Sequence, residues 1–486
     1  MIYKLRPYQE DCVKSISDYI NSDRHDPVLI VGPVGCGKSI LIAEAARLMG
    51  DKTLVLQPSR ELLIQNHDKI TSYGIPATIY SASCGKKELS NMIYATMGSV
   101  KKVVDKLKEM GIRNVLIDEA HAGYSPEDGS EFMTFMNELK PRKVIGFTAT
   151  PCRLKTMSIG KVSYSRLNFI TRMRPVYFKN LIHVIQVEEM IRQGFWTPLK
   201  YETWDFNGDA LKLNSNGSEY TAESISEAVR KNGLNNLILR RLMVLKDVCR
   251  SILVFMDSVE SCNTAAEWMN AKICAGMAEV VHGGAPKRQR EAIVERFKSG
   301  GTQVVFNYSA LGTGFDHPGL DCVVFGRPTF SFSTWYQAIG RAVRIKDGKD
   351  SAMVVDCCDN SSRFGDIRGL SIENYKGYGW GMFIDDKLIT NIPMGDKVTK
   401  TDLDIKAAKK DRRRGLAQGV TAAPIPGRPP HPLGSTVMAF GKYCGWMLHS
   451  IPVSYFKFIN KTFDWDNDRN KDIKEYIDFL IKNNRL

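Results

Sequence analysis

The chain has 486 residues, 43% apolar and 25% charged, with 67 Lys and Arg against 53 Asp and Glu for a formal charge of +14. That is room for about three globular domains; no apolar run can span a bilayer and the N-terminus turns polar at Arg6-Pro7-Tyr8-Gln9-Glu10, so a cytoplasmic protein without membrane contact is expected. Eleven cysteines with no CxxC pair argue against a zinc ribbon or disulfide framework, while the basic excess favours polyphosphate partners, or simply gives a soluble basic surface.

Leu5-Arg6-Pro7-Tyr8-Gln9 opens a predicted helix whose apolar positions Cys12, Val13, Ile16, Tyr19 and Ile20 share one face, with Pro7 in the first turn. The Gln9 amide carries the donor and acceptor needed to read an adenine edge, as any surface glutamine does. An apolar strand from Val28 then enters Gly32-Pro33-Val34-Gly35-Cys36-Gly37-Lys38-Ser39, and Ile40, Leu41, Ala45 and Leu48 follow at helical spacing. Glycines 32, 35 and 37 allow backbone N–H groups to close on a phosphate, Lys38 can reach its outer oxygens, and Ser39 can offer a hydroxyl to Mg²⁺. Lys38 is also near enough in sequence to lower the thiol pKa of Cys36, which would make this loop sensitive to oxidation.

Lys52 to Leu56 reads as a strand that ends in Gln57-Pro58-Ser59-Arg60-Glu61. Ser59 and Arg60 could hold a phosphate there, or Ser59 could cap the next helix; Thr96-Met97-Gly98-Ser99 ends a further strand with the same two readings. Strand Val115-Leu116-Ile117 delivers Asp118 and Glu119 to its carboxyl end. One carboxylate could hold a Mg²⁺ that bridges phosphates while the other orients and deprotonates water, or the pair could cap a helix. His121 suits coupling better than chemistry, and the hydroxyls of Thr148 and Thr150, after strand Val144 to Phe147, could bond to the acidic motif. From Pro151 to Leu199 the pattern is irregular, basic and aromatic, and reads as a connection or an insertion.

A second α/β unit begins near Tyr201, with strands expected at Ser251 to Met256, Glu279 to Val281, Gln303 to Asn307, Cys322 to Phe325 and Ala352 to Asp356. It has no phosphate loop. Gln337, Gly340, Arg341 and Arg344 fall in one predicted helix, where two arginines on one side could reach a γ-phosphate held by the first unit, or form an exposed basic face. From Ser371 to Ile392 glycines alternate with Tyr375, Tyr378, Trp380 and Phe383, which suits either a ring-presenting hairpin or core packing. A basic stretch from Lys400 to Arg414 precedes a Pro/Gly-rich linker, and could track a duplex backbone or be a solvated helix. Asp464, Asp466, Asp468 and Glu475 have calcium-loop spacing, but Arg469 stands where that loop needs glycine, so capping of the last helix is expected instead.

Taken together, these motifs resemble those of superfamily 2 helicases and translocases of the DEAH type. LRPYQ is similar to the Q motif, GPVGCGKS to motif I, PSREL to motif Ia, DEAH to motif II, TAT to motif III, SALGTGFDHP to motif V and QAIGRAVR to motif VI. IRQGFWTP and VVDCCDNSSRFG resemble the branch that includes RadD, restriction-enzyme helicase subunits and UvsW-like phage branch-migration helicases. RadD-like zinc segments are missing, since only Cys444 follows Cys358. Phe440-Gly441-Lys442-Tyr443, with Ile451-Pro452 and Tyr455, resembles a small FGK domain of unclear role, expected to contact DNA or protein.

The resemblance implies an α/β chain of two tandem RecA-like P-loop NTPase domains and a small C-terminal accessory domain. The expected boundaries are 1–155 and 201–370 for the two domains, 156–200 for their connection or an insertion, 371–431 for an extension and linker, and 432–486 for the accessory domain. It implies ATP and Mg²⁺, with Arg6 and Gln9 at adenine, Gly32, Gly35, Gly37, Lys38 and Ser39 at the phosphates, and Ser39 and Asp118 on the metal. Glu119 would act on water, Gln337, Arg341 and Arg344 would complete catalysis, and Gly314 and Asp316 would lie by the nucleotide. His121, Thr148 and Thr150 would couple the domains, and Ser59, Arg60, Thr96, Ser99 and Thr313 would contact a nucleic-acid backbone. The implied activity is that of an ATP-dependent DNA helicase or double-strand translocase remodelling branched DNA in repair, recombination or replication. An RNA helicase, or the motor subunit of a nuclease or restriction complex, is the alternative, with a protein partner taken through the C-terminal domain.

Overall fold

The computed structural model describes residues 3–122, 124, 129–159, 162–215, 217–310, 315–376, 378–394, 396–405, 407, 431–436, 438, 443, 446–462 and 470–483. Among them no helix is long and apolar enough to cross a membrane.

Runs such as Val28–Val31, Thr53–Gln57, Asn114–Ile117 and Lys143–Thr148 are buried at every position, as strands covered on both faces must be. They pair in parallel in an eight-stranded sheet ordered Asn180–Val184, Val28–Val31, Lys143–Thr148, Asn114–Ile117, Thr53–Gln57, Met92–Thr96, Thr78–Ser81 and Lys86–Lys87. Only the last, short and lysine-bearing, runs antiparallel, and its charges blunt the sheet edge. Helices Pro7–Asn21, Lys38–Met49 and Arg60–Ser72 accompany this sheet. The second sheet is wholly parallel, in the order Leu199–Thr203, Ala352–Asp356, Cys322–Phe325, Ile252–Phe255, Val304–Tyr308 and Ala278–His282.

The region expected to be a connection or an insertion, 156–200, carries regular structure. Cys152–Ile159 and Val162–Phe169 form an antiparallel hairpin, and Asn180–Val184 completes an edge of the first sheet beside Val28–Val31. That edge strand is only partly buried, so its residues lack the continuous apolar run that marks the inner strands. Leu199–Thr203 then joins the second sheet beside Ala352–Asp356.

Two compact units are present: Met1–Tyr375 with Gly379–Val398, and Lys376–Tyr378 with Thr399–Leu486. The first holds both large sheets and also the hairpin Leu370–Tyr375 and Gly379–Ile384, which the sequence reading placed in an extension. Ile372, Met382 and Ile384 from this hairpin enter the core, Phe383 is fully buried, and Gln186 exchanges bonds with the Ile372 backbone at 2.8 and 3.1 Å. Its aromatics therefore pack inward in part, with Tyr375 and Trp380 half-buried. In the second unit, helices Val453–Thr462 and Lys471–Lys482 close over Met438, Leu448, Ile451, Phe456, Tyr476 and Leu480. Asn470 stands at the N-cap of the last helix without a side-chain cap bond. The 440–442 motif residues, Asp464, Asp466 and Asp468, and most of the basic stretch and linker lie outside the described residues.

Candidate active site

The buried strand Val28–Val31 carries the chain to the glycine loop, where the Gly32 N–H donates to the Thr148 carbonyl at 3.0 Å. Gly37 has φ +82° and a Cβ there would stand 2.5 Å from Gln9 Nε2, so both conformation and space demand glycine. Helix Lys38–Met49 starts directly after it, leaving first-turn N–H groups without intrahelical partners. A cavity of about 360 Å³ opens at this point. Gly35, Gly37, Lys38, Ser39, Asp118 and Glu119 line it from the first-sheet side; Asp316, Gln337, Gly340, Arg341 and Arg344 line it from the second. Arg6 and Phe195 also line it, the Arg6 guanidinium lying 4.4 Å over the Phe195 ring.

Asp118 is 4% exposed and accepts from the Glu119 N–H and from Asn66 Nδ2, both at 2.9 Å. Burial, then repulsion from Glu119, push its pKa up to about 7. Such a pair favours a bound cation, which would restore both charges. Glu119 takes φ +46°, a conformation that a non-glycine residue holds only under constraint. Its Oε1 lies 3.8 Å from Lys38 Nζ and its Oε2 3.3 Å from His121 Nδ1. Burial opposes the charge on Lys38, but Glu119 foremost outweighs it and raises the ammonium pKa. Two buried carboxylates, a lysine and a helix start are a donor and acceptor set that fits a nucleoside triphosphate with Mg²⁺.

His121 connects the acids to the second sheet. Its Nδ1 lies 2.8 Å from Thr148 Oγ1 and its Nε2 3.4 Å from Ser333 Oγ, while Thr150 Oγ1 is 3.5 Å from the same Ser333 hydroxyl. Burial lowers the His121 pKa, favouring the neutral ring that such a relay of hydroxyls requires.

Helix Phe332–Ala342 is started by Ser331, whose side chain accepts from the Thr334 N–H. Gly340 brings it against the phosphate loop, since a Cβ would fall 2.3 Å from the Val34 side chain. Arg341 occupies the last turn and is buried; its Nη1 donates to the Phe315 carbonyl at 2.9 Å, and burial lowers its pKa to about 10. Arg344 lies past the C-cap Val343 and is ion-paired with Asp316. The two arginines are thus not on one side of a helix, as their spacing suggested. Lys349 explains the early end: its ammonium donates to the carbonyls of Ala342 at 2.6 Å and Arg344 at 2.8 Å.

Two expectations change. Gln9 is buried and does not line the cavity; its Nε2 donates to the Cys36 carbonyl at 2.9 Å and its Oε1 accepts from the Arg6 N–H at 3.0 Å. It holds the phosphate loop rather than presenting its amide to a base. Cys36 is fully buried and burial pushes its thiol pKa up, outweighing Lys38, which removes the basis for a reactive thiolate.

A model of the type III restriction enzyme res subunit matches residues 2–153, and one of the helicase conserved C-terminal domain matches 235–346. The two matched stretches fall on the two parallel-sheet regions, so the chain carries two tandem helicase domains of the RecA-like α/β fold. A Saccharomyces cerevisiae protein named as an ATP-dependent helicase, IRC3, is 23% identical over 378 residues, which are 74% of this chain and 52% of the relative. The chain thus spans about half the length of that relative. Two solved structures share the fold, each with a TM-score of 0.54. One is a fragment of an HsdR subunit of a type I restriction enzyme from Vibrio vulnificus, at 18% identity over 75% of this chain and 67% of that one. The other is the type ISP restriction-modification enzyme LlaBIII bound to DNA, at 16% identity over 74% and 28%.

Ser59, Arg60, Thr96 and Ser99, expected on nucleic acid, do not line the cavity of Lys38 and Asp118. Ser59 caps helix Arg60–Ser72 by accepting from the Leu62 N–H at 3.3 Å. Thr96 Oγ1 bonds to Ser81 at 3.0 Å and Ser99 at 3.2 Å, and Ser99 accepts from the Ala82 N–H, so these hydroxyls form a cluster of their own. Arg60 is half-buried at the carboxyl end of the adjoining strand. Thr313 and Gly314 lie outside the described residues. Sequence reading missed Asn66 and Ser333, which carry no motif signal, and gave Phe195 no site role although it lies in IRQGFWTP; long-range approach brings all three to the site.

Proposed function

We propose that the chain is an ATP- and Mg²⁺-dependent DNA motor, a helicase or double-strand translocase that remodels branched DNA by fork regression or branch migration, serving repair, recombination or replication in the cytoplasm. The observation that carries this reading is the single cavity in which Lys38, Asp118 and Glu119 of one domain meet Arg341 and Arg344 of the other.

The backbone from Gly35 to Ser39 and the Lys38 ammonium would hold the phosphates, and Ser39 and Asp118 the Mg²⁺. Bound ATP with Mg²⁺ supplies the anhydride whose cleavage drives the motor. Glu119, held at φ +46° beside His121, orients the attacking water and takes its proton. Arg341 and Arg344 bring positive charge to the outer phosphate from the second domain, and Gln337 stands beside them. His121, Thr148, Thr150 and Ser333 carry the state of the acid pair to the arginine helix, so hydrolysis and domain movement become linked. Ser59, Arg60, Thr96 and Ser99 would meet phosphates of the strand, which explains tolerance of sequence. A charge of +14 and a DNA-bound structural neighbour support DNA.

A second reading, the motor subunit of a restriction complex, is favoured by the match of the first domain to the type III restriction subunit. ATP turnover and strand displacement measured on forks, four-way junctions, duplex, single strands and RNA test both. Preference for branched DNA supports the first reading. Preference for RNA rejects it, and activity only with a co-purified nuclease supports the second.

A further inference from the structure

Between the two domains the chain passes through Phe195, Trp196 and Thr197. The last two are 3% and 2% exposed, and neither lines the nucleotide cavity. The Trp196 indole N–H donates at 2.9 Å to the carbonyl of Val34, inside the phosphate loop. One residue later the Thr197 hydroxyl donates to the Arg344 carbonyl at 2.8 Å, and the Thr197 N–H to the Val343 carbonyl at 2.8 Å. Three hydrogen bonds from two buried residues thus tie the loop that lines the cavity to the backbone that carries an arginine. Two residues offer no slack to absorb a shift, and a buried donor left without its acceptor is costly, so the attached segments move together.

We propose that Trp196 and Thr197 are positioning residues, a strap that sets the reach of Arg344 from the position of the phosphate loop. The proposal rests on the motor reading above. Asp316 holds the Arg344 guanidinium, whereas the strap holds its backbone, so the arginine is delivered only when the loop carries the Val34 carbonyl to its seated position.

The test is steady-state ATPase with saturating DNA for Thr197→Val, Thr197→Ser, Trp196→Phe, Arg344→Ala and the double variant Thr197→Val with Arg344→Ala. Thr197→Val keeps the buried shape and Trp196→Phe an aromatic ring, each deletes one donor, and both are expected to lower kcat roughly tenfold while KM for ATP moves by less than about twofold. Thr197→Ser keeps the hydroxyl and is expected to turn over within about twofold of wild type. Adding Thr197→Val to Arg344→Ala is expected to cost nothing more, because the strap acts through that arginine. Wild-type kcat in Thr197→Val, a Thr197→Ser as slow as Thr197→Val, or losses that multiply in the double variant would each overturn the strap. A wild-type chain with no ATPase on any nucleic acid would overturn the motor reading and the strap with it.

Discussion

Glu119 holds a backbone conformation that its side chain alone would not choose, and it sits between a lysine and a neutral histidine. If it is the water-activating base, Glu119→Gln should lower kcat by about a hundredfold or more while ATP affinity stays within a few-fold. Equal losses in binding and turnover, read by nucleotide titration beside steady-state rates, would assign it to binding instead. Gln9 makes the opposite kind of prediction. Its amide is spent on the Cys36 carbonyl and the Arg6 N–H, so Gln9→Ala should lower kcat/KM for ATP and GTP by the same factor, within about twofold. A selective loss for ATP would return Gln9 to base reading. The meeting of Lys38, Ser39, Asp118 and Glu119 at one cavity is legible in sequence because each lies within a few residues of a glycine loop or a strand end. The bonds of Gln9 are not, because a glutamine looks the same whether it faces a base or a carbonyl.

Among the elements, the helix that bears Arg341 shows where periodicity misleads. Spacing extends it through Arg344, but Lys349 caps the carbonyls of Ala342 and Arg344 and ends it sooner. Nothing local announces a lysine that reaches back over several residues. Edge strand Asn180–Val184 was hidden for a related reason, since half-exposed edge strands lose the apolar run that reveals buried ones. The end of the motif V stretch gives a pH prediction. His317 Nε2 lies 2.8 Å from Ser251 Oγ, and burial, then Lys346, Lys298 and Lys349, hold its pKa down to about 4 from an ordinary 6.5. The folded chain keeps this ring neutral while the unfolded chain protonates it, so its contribution is complete above pH 6.5 and is lost as pH falls toward about 4. A loss on the order of 1–3 kcal/mol is expected, and His317→Gln should flatten it, read as melting temperature between pH 7.5 and 5. Equal slopes for the two proteins would remove His317 from the account. Ser333→Ala should cut the DNA-stimulated increment of ATPase severalfold, since the hydroxyl joins His121 and Thr150 to the arginine helix. An unchanged increment would place the coupling elsewhere.

The molecule as a whole divides its chemistry between two sheets, each a parallel stack whose fully buried strands the sequence shows plainly. The fold of the two helicase domains was legible from that pattern and from motif order. The hairpin Leu370–Ile384 was not assigned to them, because its contacts come from residues such as Gln186 that are far away in the chain. A chain ending at Val398 should remain soluble and keep ATPase within about threefold, because both sheets and the cavity lie in the first compact unit. The central claim is that one ATP site is completed by both domains. Arg344→Ala, assayed for DNA-stimulated kcat beside the Kd for ATP, tests it most directly. Turnover is expected to fall about a hundredfold or more with Kd changed only a few-fold, and wild-type turnover in this variant would contradict the account.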